Sequence, residues 1–229
     1  CIHLVDSIGK SGINFICNLH EQACSIAADA YGQYTNNLGV CLVTTGPGST
    51  NALTGVAAAW LDSTPMLVIS GQVQKKDMIN GRGTRQIGFQ EIDAVNIAKP
   101  LTKYAVTVTN PNKIRYHLEK AVYLAKNGRP GPVWLDIPLD VQAADVDEKT
   151  LEPYFSFNFP KNPKSKIEDS ISDIINDLNK AKRPVILAGN GIRLANSIDK
   201  FKELTNILQI PVLLTWKALD FFEEDHPLF

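Results

Sequence analysis

The sequence has 229 residues, of which 44% are hydrophobic and 21% are charged, a composition typical of folded globular proteins and not of disordered ones. At about 150 residues per domain, this length corresponds to about one and a half domains. Lysine and arginine number 23 against 24 aspartate and glutamate residues, so the charge does not indicate nucleic-acid binding. The apolar runs are too short to span a bilayer, and we expect neither a membrane nor a nucleic acid as partner.

Short apolar runs alternate with longer amphipathic stretches along the chain, which predicts an α/β protein with a parallel sheet. The chain starts at Cys1 without an initiator methionine and continues into an apolar, helix-like stretch, so we expect that a piece precedes it. The predicted strands cover residues 13–17, 40–45, 66–70 and 133–137, and the predicted helices cover residues 21–34, 49–61 and 111–126.

The composition changes after residue 141, which predicts a boundary between two domains. Residues 1–142 form the predicted first domain, and residues 143–166 mix acids, aromatics and prolines without periodicity, as in an interdomain linker. A second α/β pattern occupies residues 167–229, with helices at 167–178 and 194–208 and strands at 184–188 and 212–215. A sheet usually has about five to six strands, so we expect this second domain to be truncated.

The four cysteines lie in the first fifth of the chain, at Cys1, Cys17, Cys24 and Cys41. They lack the CxxC spacing and the neighbouring histidines of a zinc site. We therefore expect reduced thiols in a cytoplasmic protein and no metal site within this sequence.

Glu21 stands at the start of an Ala-rich helix, after the predicted strand 13–17. Ligands bind at the carboxyl ends of parallel strands, so this carboxyl group is a candidate functional residue. The alternative is an acidic first-turn residue that the helix dipole favours.

Two further segments are candidates for function. The turn 44–51 contains Gly-Pro-Gly before a helix, but Asn51 fills the third glycine position of GxGxxG, and no P-loop lysine follows. The loop 81–91 is polar and rich in glycine, as functional loops often are. The alternatives are a capped tight turn for the first segment and a solvated loop for the second.

Four segments, taken in order, resemble the thiamine-diphosphate enzymes of the acetolactate synthase (acetohydroxyacid synthase) group. They are HEQACSIAADAYG, VCLVTTGPGSTNALTGVAAAWLDSTPMLVISGQV, GFQE and GRPGPVWLDIPLDVQ. The resemblance implies a pyrimidine-binding domain in residues 1–142, and PVILAGNGI and PVLLTWKALDFFEEDHPLF resemble the first half of the family's middle domain. It implies the N-terminal part of an enzyme that decarboxylates pyruvate or a related 2-keto acid and joins the two-carbon unit to an acceptor.

The resemblance also implies residue roles. Glu21 corresponds to the catalytic glutamate that hydrogen-bonds a ring nitrogen of the cofactor's aminopyrimidine and promotes loss of the thiazolium C2 proton, for which a raised pKa would be suitable. Pro47 and Asn51 correspond to residues that line the pyrimidine pocket. Phe89 and Gln90 correspond to a pair that reaches the cofactor and the substrate side of the neighbouring active site.

The family's cofactors are thiamine diphosphate and Mg²⁺, and some members also bind FAD. The family holds the metal with a Gly-Asp-Gly motif and an asparagine on a third domain, which has no match here, so we expect the isolated chain to be inactive. The family's active site lies between subunits, which implies a homodimer or a homotetramer.

Two departures from the family's pattern leave alternatives open. Leu139 replaces the family's lysine in Pro-Lys-Asp, and the loop 80–87 is longer and more basic, with Arg82 and Arg85 as candidates to bind an anionic or phosphorylated substrate. One alternative is a paralogue with a different 2-keto acid or aldehyde substrate. The other is a non-catalytic module that retains the fold.

Overall fold

A computed structural model describes residues 1–155 and 164–229, with side chains described throughout except at 164–169. The chain divides into two compact units, Cys1–Phe157 and Asn158–Phe229. Of the predicted linker 143–166, residues 143–155 contain neither helix nor strand, residues 156–163 lie outside the described residues, and residues 164–166 belong to a helix. Within the described parts of the chain, no helix has the length and apolar character needed to cross a bilayer.

The first unit contains a four-stranded parallel sheet in the order β1-β2-β4-β3, which confirms the α/β class. In register, Val43 of β1 is opposite Ser70 of β2, and Gln72 at the end of β2 is opposite Pro138 of β4. All seven residues of β4 are buried, as in a parallel strand covered by helices on both faces. The strands are β1 (Gly39–Val43), β2 (Met66–Gln72), β3 (Tyr104–Thr107) and β4 (Pro132–Pro138).

Helices cover both faces of this sheet. One core contains Val56 of α3 packed with Met66 and Trp134 of the sheet, and a second contains Ala121 of α5 packed with Leu67. The helices are α1 (Ile2–Lys10), α2 (Glu21–Thr35), α3 (Pro47–Asp62), α4 (Ala94–Ala98), α5 (Ile114–Lys126) and α6 (Leu139–Gln142), with 3-10 turns at Lys75–Asp77, Lys99–Leu101 and Pro111–Lys113.

The second unit is a smaller α/β arrangement. Its strands β5 and β6 are parallel, and Ala188, Val212 and Phe221 belong to its core. The elements are α7 (Lys164–Lys180), β5 (Ile186–Ala188), α8 (Gly191–Leu194), α9 (Ile198–Leu208) and β6 (Val212–Leu214), followed by a 3-10 helix at Trp216–Phe221.

Two predicted elements are wrong. Residues 13–17 do not form a strand; they are exposed, with Ile16 at 87%, because an apolar run forms a strand only where a neighbouring strand pairs with it. The predicted helix 194–208 is two helices, since Asn196 has a φ of 50° and this left-handed conformation does not continue a helix.

The packing of α2 against α3 depends on Gly55. A Cβ atom at this position would lie 2.5 Å from the Ser25 Oγ and 2.7 Å from the backbone nitrogen of Ile26. The two helices therefore approach each other backbone to backbone, and this approach fixes how their N-termini are placed.

We predict that Gly55→Ala lowers the free energy of unfolding by about 1–3 kcal/mol, because the new methyl group overpacks the contact between the helices. Gly9→Ala is the matched control, since Gly9 is also helical and no described atom lies within 4 Å of its added Cβ. The control should be neutral or slightly stabilising. Urea denaturation of both variants measures the difference, and equal effects would contradict this account of the α2–α3 packing.

Candidate functional site

The carboxylate of Glu21 and the amide of Asn51 join the N-terminal ends of α2 and α3. Asn51 Nδ2 donates to Glu21 Oε2 at 2.9 Å and lies 3.1 Å from His20 Nε2. Both Glu21 and Asn51 are half-buried. A carboxylate is thereby oriented by a fixed amide while it stays accessible to a ligand.

The environment of Glu21 keeps its carboxyl group ionised. The hydrogen bond from Asn51 lowers the pKa of Glu21, a hydrogen bond with its own backbone lowers it further, and desolvation opposes them. The expectation of a raised pKa is therefore wrong for this chain, because the half-exposed carboxyl group loses too little solvation to outweigh its hydrogen bonds.

The turn between β1 and α3 lies against this carboxylate at Gly48. A Cβ atom on Gly48 would lie 3.5 Å from Glu21 Oε1 and 2.8 Å from Thr44 Cγ2. Pro47, the first residue of α3, is exposed next to this glycine. Glycine at position 48 thus avoids crowding Thr44 and puts no side-chain atom against Glu21.

The loop after β2 meets the same turn at Gln90. Gly46 has a φ of 66°, and its Cβ would collide with the Gln90 carbonyl oxygen. Gln90 itself has a φ of 55°, a conformation that is uncommon for a residue with a side chain. The structure therefore brings Gln90 to the turn that carries Pro47, whereas Phe89 is 82% exposed to solvent.

Gln72 forms hydrogen bonds with both the turn after β1 and the loop after β2, and the sequence did not point to it. Its Oε1 accepts from Thr45 Oγ1 at 2.8 Å, and its Nε2 donates to the Ile92 carbonyl at 3.0 Å and to Asp136 Oδ2 at 3.1 Å. Gln72 is buried. A polar residue at the end of a buried strand is the signal that would have pointed to it.

Asp136 on β4 completes this buried network and was also missed. It accepts hydrogen bonds from Ser70 Oγ at 2.5 Å, from Gln72, and from Thr107 Oγ1 at 3.3 Å. Burial raises the pKa of Asp136 to about 6, against the opposing effect of these hydrogen bonds.

The residues that depart from the family's pattern lie in other segments. Arg82 donates to the backbone carbonyl of Lys76 at 3.3 Å, and both Arg82 and Arg85 are exposed. Leu139 is half-buried at the start of α6. Within residues 1–155 and 164–229, no group of three or more histidine, cysteine, aspartate or glutamate residues is placed to hold a metal ion.

Comparison with protein families identifies both units. Residues 1–97 match the family described as thiamine pyrophosphate enzyme, N-terminal TPP binding domain, and residues 171–229 match the family described as thiamine pyrophosphate enzyme, central domain. The chain belongs to the thiamine pyrophosphate enzymes. The segment that carries Glu21, Pro47, Asn51 and Gln90 thus lies in the TPP-binding domain.

Several curated relatives within these enzymes are similar over most of the chain. The acetolactate synthase large subunit of Lactococcus lactis is 39% identical over 98% of this chain and 38% of its own length. The corresponding protein of Corynebacterium glutamicum is 39% identical over 91% of this chain and 32% of its own length. A probable acetolactate synthase large subunit of Methanocaldococcus jannaschii is 35% identical over 97% of this chain and 37% of its own length. The chain therefore spans about a third of the length of these relatives.

We predict that Asp136 makes this thiamine pyrophosphate enzyme domain less stable as the pH rises from about 4 to about 7. The pKa of Asp136 in the folded chain, about 6, lies above its value in the unfolded chain, so the folded state binds this proton more tightly. The free energy of unfolding therefore falls by up to about 3 kcal/mol as the proton dissociates. Urea denaturation across this pH range should show that the free energy of unfolding of the unchanged chain falls relative to that of Asp136→Asn. Asp145→Asn, at an exposed position, should keep the decrease. The same pH dependence in Asp136→Asn as in the unchanged chain would contradict the assignment.

Proposed function

We propose that Glu21 is the catalytic, cofactor-binding carboxylate of a thiamine-diphosphate site. Asn51, Pro47 and Gln90 line its pyrimidine side, and Phe89 and Gln90 lie on the substrate side. The observation that carries the proposal is the Glu21–Asn51 hydrogen bond of 2.9 Å between two helix N-termini, within the segment matched to the TPP-binding domain.

The geometry fits an aminopyrimidine ring. An ionised Glu21 could accept a hydrogen bond from a protonated ring nitrogen, and the glycine at position 48 puts no side-chain atom against that carboxylate. Glu21 would lose water when the site is filled, which would raise its pKa and allow it to share the proton. When bound, the cofactor supplies the electron sink for decarboxylation, whereas Glu21 holds the proton and Asn51 orients the carboxylate.

We propose that the reaction is of the acetolactate synthase type, with pyruvate or a related 2-keto acid as substrate. The similarity to relatives named acetolactate synthase supports this, and it also supports a role in branched-chain amino acid biosynthesis. Because the chain spans about a third of these relatives, the activity is proposed for a full-length protein that includes it. We further propose that residues outside this chain bind Mg²⁺, and that the central domain is a candidate to bind FAD.

The domain boundaries and the location of the protein are also proposals. We infer a pyrimidine-binding domain over residues 1–142, a linker over 143–166 and a part of the central domain over 167–229, which the match at 171–229 supports. The four free cysteines are consistent with a reducing cytoplasm.

A second candidate function is that of a paralogue with a different 2-keto acid or aldehyde. It rests on Leu139, an apolar side chain where the family has a lysine, so that a substrate carboxylate would lose a cationic partner there. A non-catalytic module is less well supported, because a scaffold alone does not need the oriented carboxylate of Glu21.

We predict that Glu21→Gln lowers pyruvate decarboxylation by the full-length protein by about 10²–10⁴-fold, since glutamine cannot exchange the proton. Glu148→Gln, at an exposed position in the same unit, should leave the rate unchanged. Steady-state assays with saturating thiamine diphosphate and Mg²⁺ compare the two. A rate for Glu21→Gln within a few-fold of the unchanged protein would refute the proposed role of Glu21.

We also propose that the apolar face of α2 binds a second copy of the protein. This face consists of residues spaced three and four apart, and its larger members are exposed, with Ile26 at 46%, Tyr31 at 53% and Tyr34 at 92%. An apolar stripe of this kind on one helix is typical of an interface. Because α2 begins at Glu21, the second copy would adjoin the candidate site. The members are Ala23, Ile26, Ala27, Ala30, Tyr31 and Tyr34.

We predict that Ile26→Lys converts the full-length homodimer or homotetramer into a smaller species, because it places a charge within the apolar contact. Val122→Lys on α5 is the matched control, since Val122 is a similarly exposed apolar residue. Light scattering after size-exclusion chromatography measures the mass of each variant. A mass for Ile26→Lys equal to that of the control would exclude this face as the interface.

A further inference from the structure

Two cysteines from different elements meet next to the candidate site. Cys24 lies in the first turns of α2, three residues after Glu21, and Cys41 lies in β1. Their Sγ atoms are 3.3 Å apart, with the thiol of Cys41 donating to Cys24 Sγ. Both thiols are free, and nothing in the chemistry proposed for Glu21 requires either of them.

The two thiols have different environments. Cys41 is fully buried, whereas Cys24 is half-buried. The hydrogen bond from Cys41 lowers the pKa of Cys24, with further support from the Leu42 backbone and Asn18, against burial and the negative charge of Glu21. The same hydrogen bond and burial raise the pKa of Cys41 above its usual range. Cys24 is thus the nucleophile of the pair, and Cys41 is the thiol that resolves its oxidised form.

We propose that Cys24 and Cys41 form a reversible dithiol–disulfide site, for which hydrogen peroxide is the oxidant. The Cys24 thiolate attacks one peroxide oxygen, the O–O bond breaks, and a sulfenic acid and hydroxide result. Cys41 then attacks the Cys24 sulfur, and its thiol proton leaves with the sulfenic oxygen as water. Two thiols are oxidised to one disulfide, and one peroxide is reduced to two molecules of water.

The position of the pair gives this bond a structural consequence. Disulfide formation requires the sulfur atoms to close from 3.3 Å to about 2.05 Å. The bond covalently joins the first turns of α2 to β1, and therefore constrains the helix that begins at Glu21. This inference does not depend on the proposed reaction, because it concerns only the two thiols and the oxidant.

The test uses the chain itself at neutral pH with hydrogen peroxide, followed by denaturation, alkylation of the remaining thiols, digestion and mass spectrometry. We expect a peptide pair linked through Cys24 and Cys41, and we expect dithiothreitol to release it. The linked pair should be retained in Cys17→Ser, which removes an exposed cysteine, and lost in Cys24→Ser and Cys41→Ser. If a variant does not fold, the presence or absence of the linked peptide pair in the unchanged chain decides the outcome.

Two results would overturn the proposal. One is full alkylation of both Cys24 and Cys41 after a peroxide treatment that oxidises Cys17. The other is a disulfide that joins Cys24 to Cys1 or Cys17 in place of Cys41.

Discussion

The buried amide of Gln72 holds together the two segments that form the candidate site. Its oxygen accepts from Thr45, next to the turn that carries Pro47, and its nitrogen donates to the Ile92 carbonyl, just after Gln90. A buried amide without partners would be costly, so both segments stay where these hydrogen bonds can form. The positions of Pro47 and Gln90 relative to Glu21 follow from this constraint, together with the close approach of α2 and α3 at Gly55.

Two carboxyl groups of the first unit have pKa values that are shifted in opposite directions. Asp136 is buried and has a raised pKa, so its role is to bind the protein's own donors. Glu21 is half-exposed and has a lowered pKa, because one amide orients it without removing it from water. Only Glu21 of the two can therefore offer a solvent-accessible carboxylate oxygen to an incoming ring nitrogen.

The sequence predicted the elements whose signal is local. Strands β1, β2 and β4 are continuous apolar runs, α2 is rich in alanine, α3 follows a Gly-Pro-Gly turn, and α5 has helical periodicity. Strand β3 was missed because its residues are only half-buried at the edge of the sheet, and residues 13–17 were misassigned because pairing partners are not visible in a sequence. Glu21 was a candidate from its position at the start of a helix, whereas the role of Asn51 was reached only through family resemblance. The hydrogen bond between Gln72 and Asp136 spans 64 residues, which no local pattern reveals.

The structure of the full-length protein with thiamine diphosphate and Mg²⁺ bound tests the central claim most directly. The account predicts that an aminopyrimidine ring nitrogen lies within about 3 Å of a Glu21 carboxylate oxygen, with Asn51 still bound to the other side of that carboxylate and Gly48 beside the ring. An aminopyrimidine bound away from Glu21, or a Glu21 side chain turned from the ring, would contradict it.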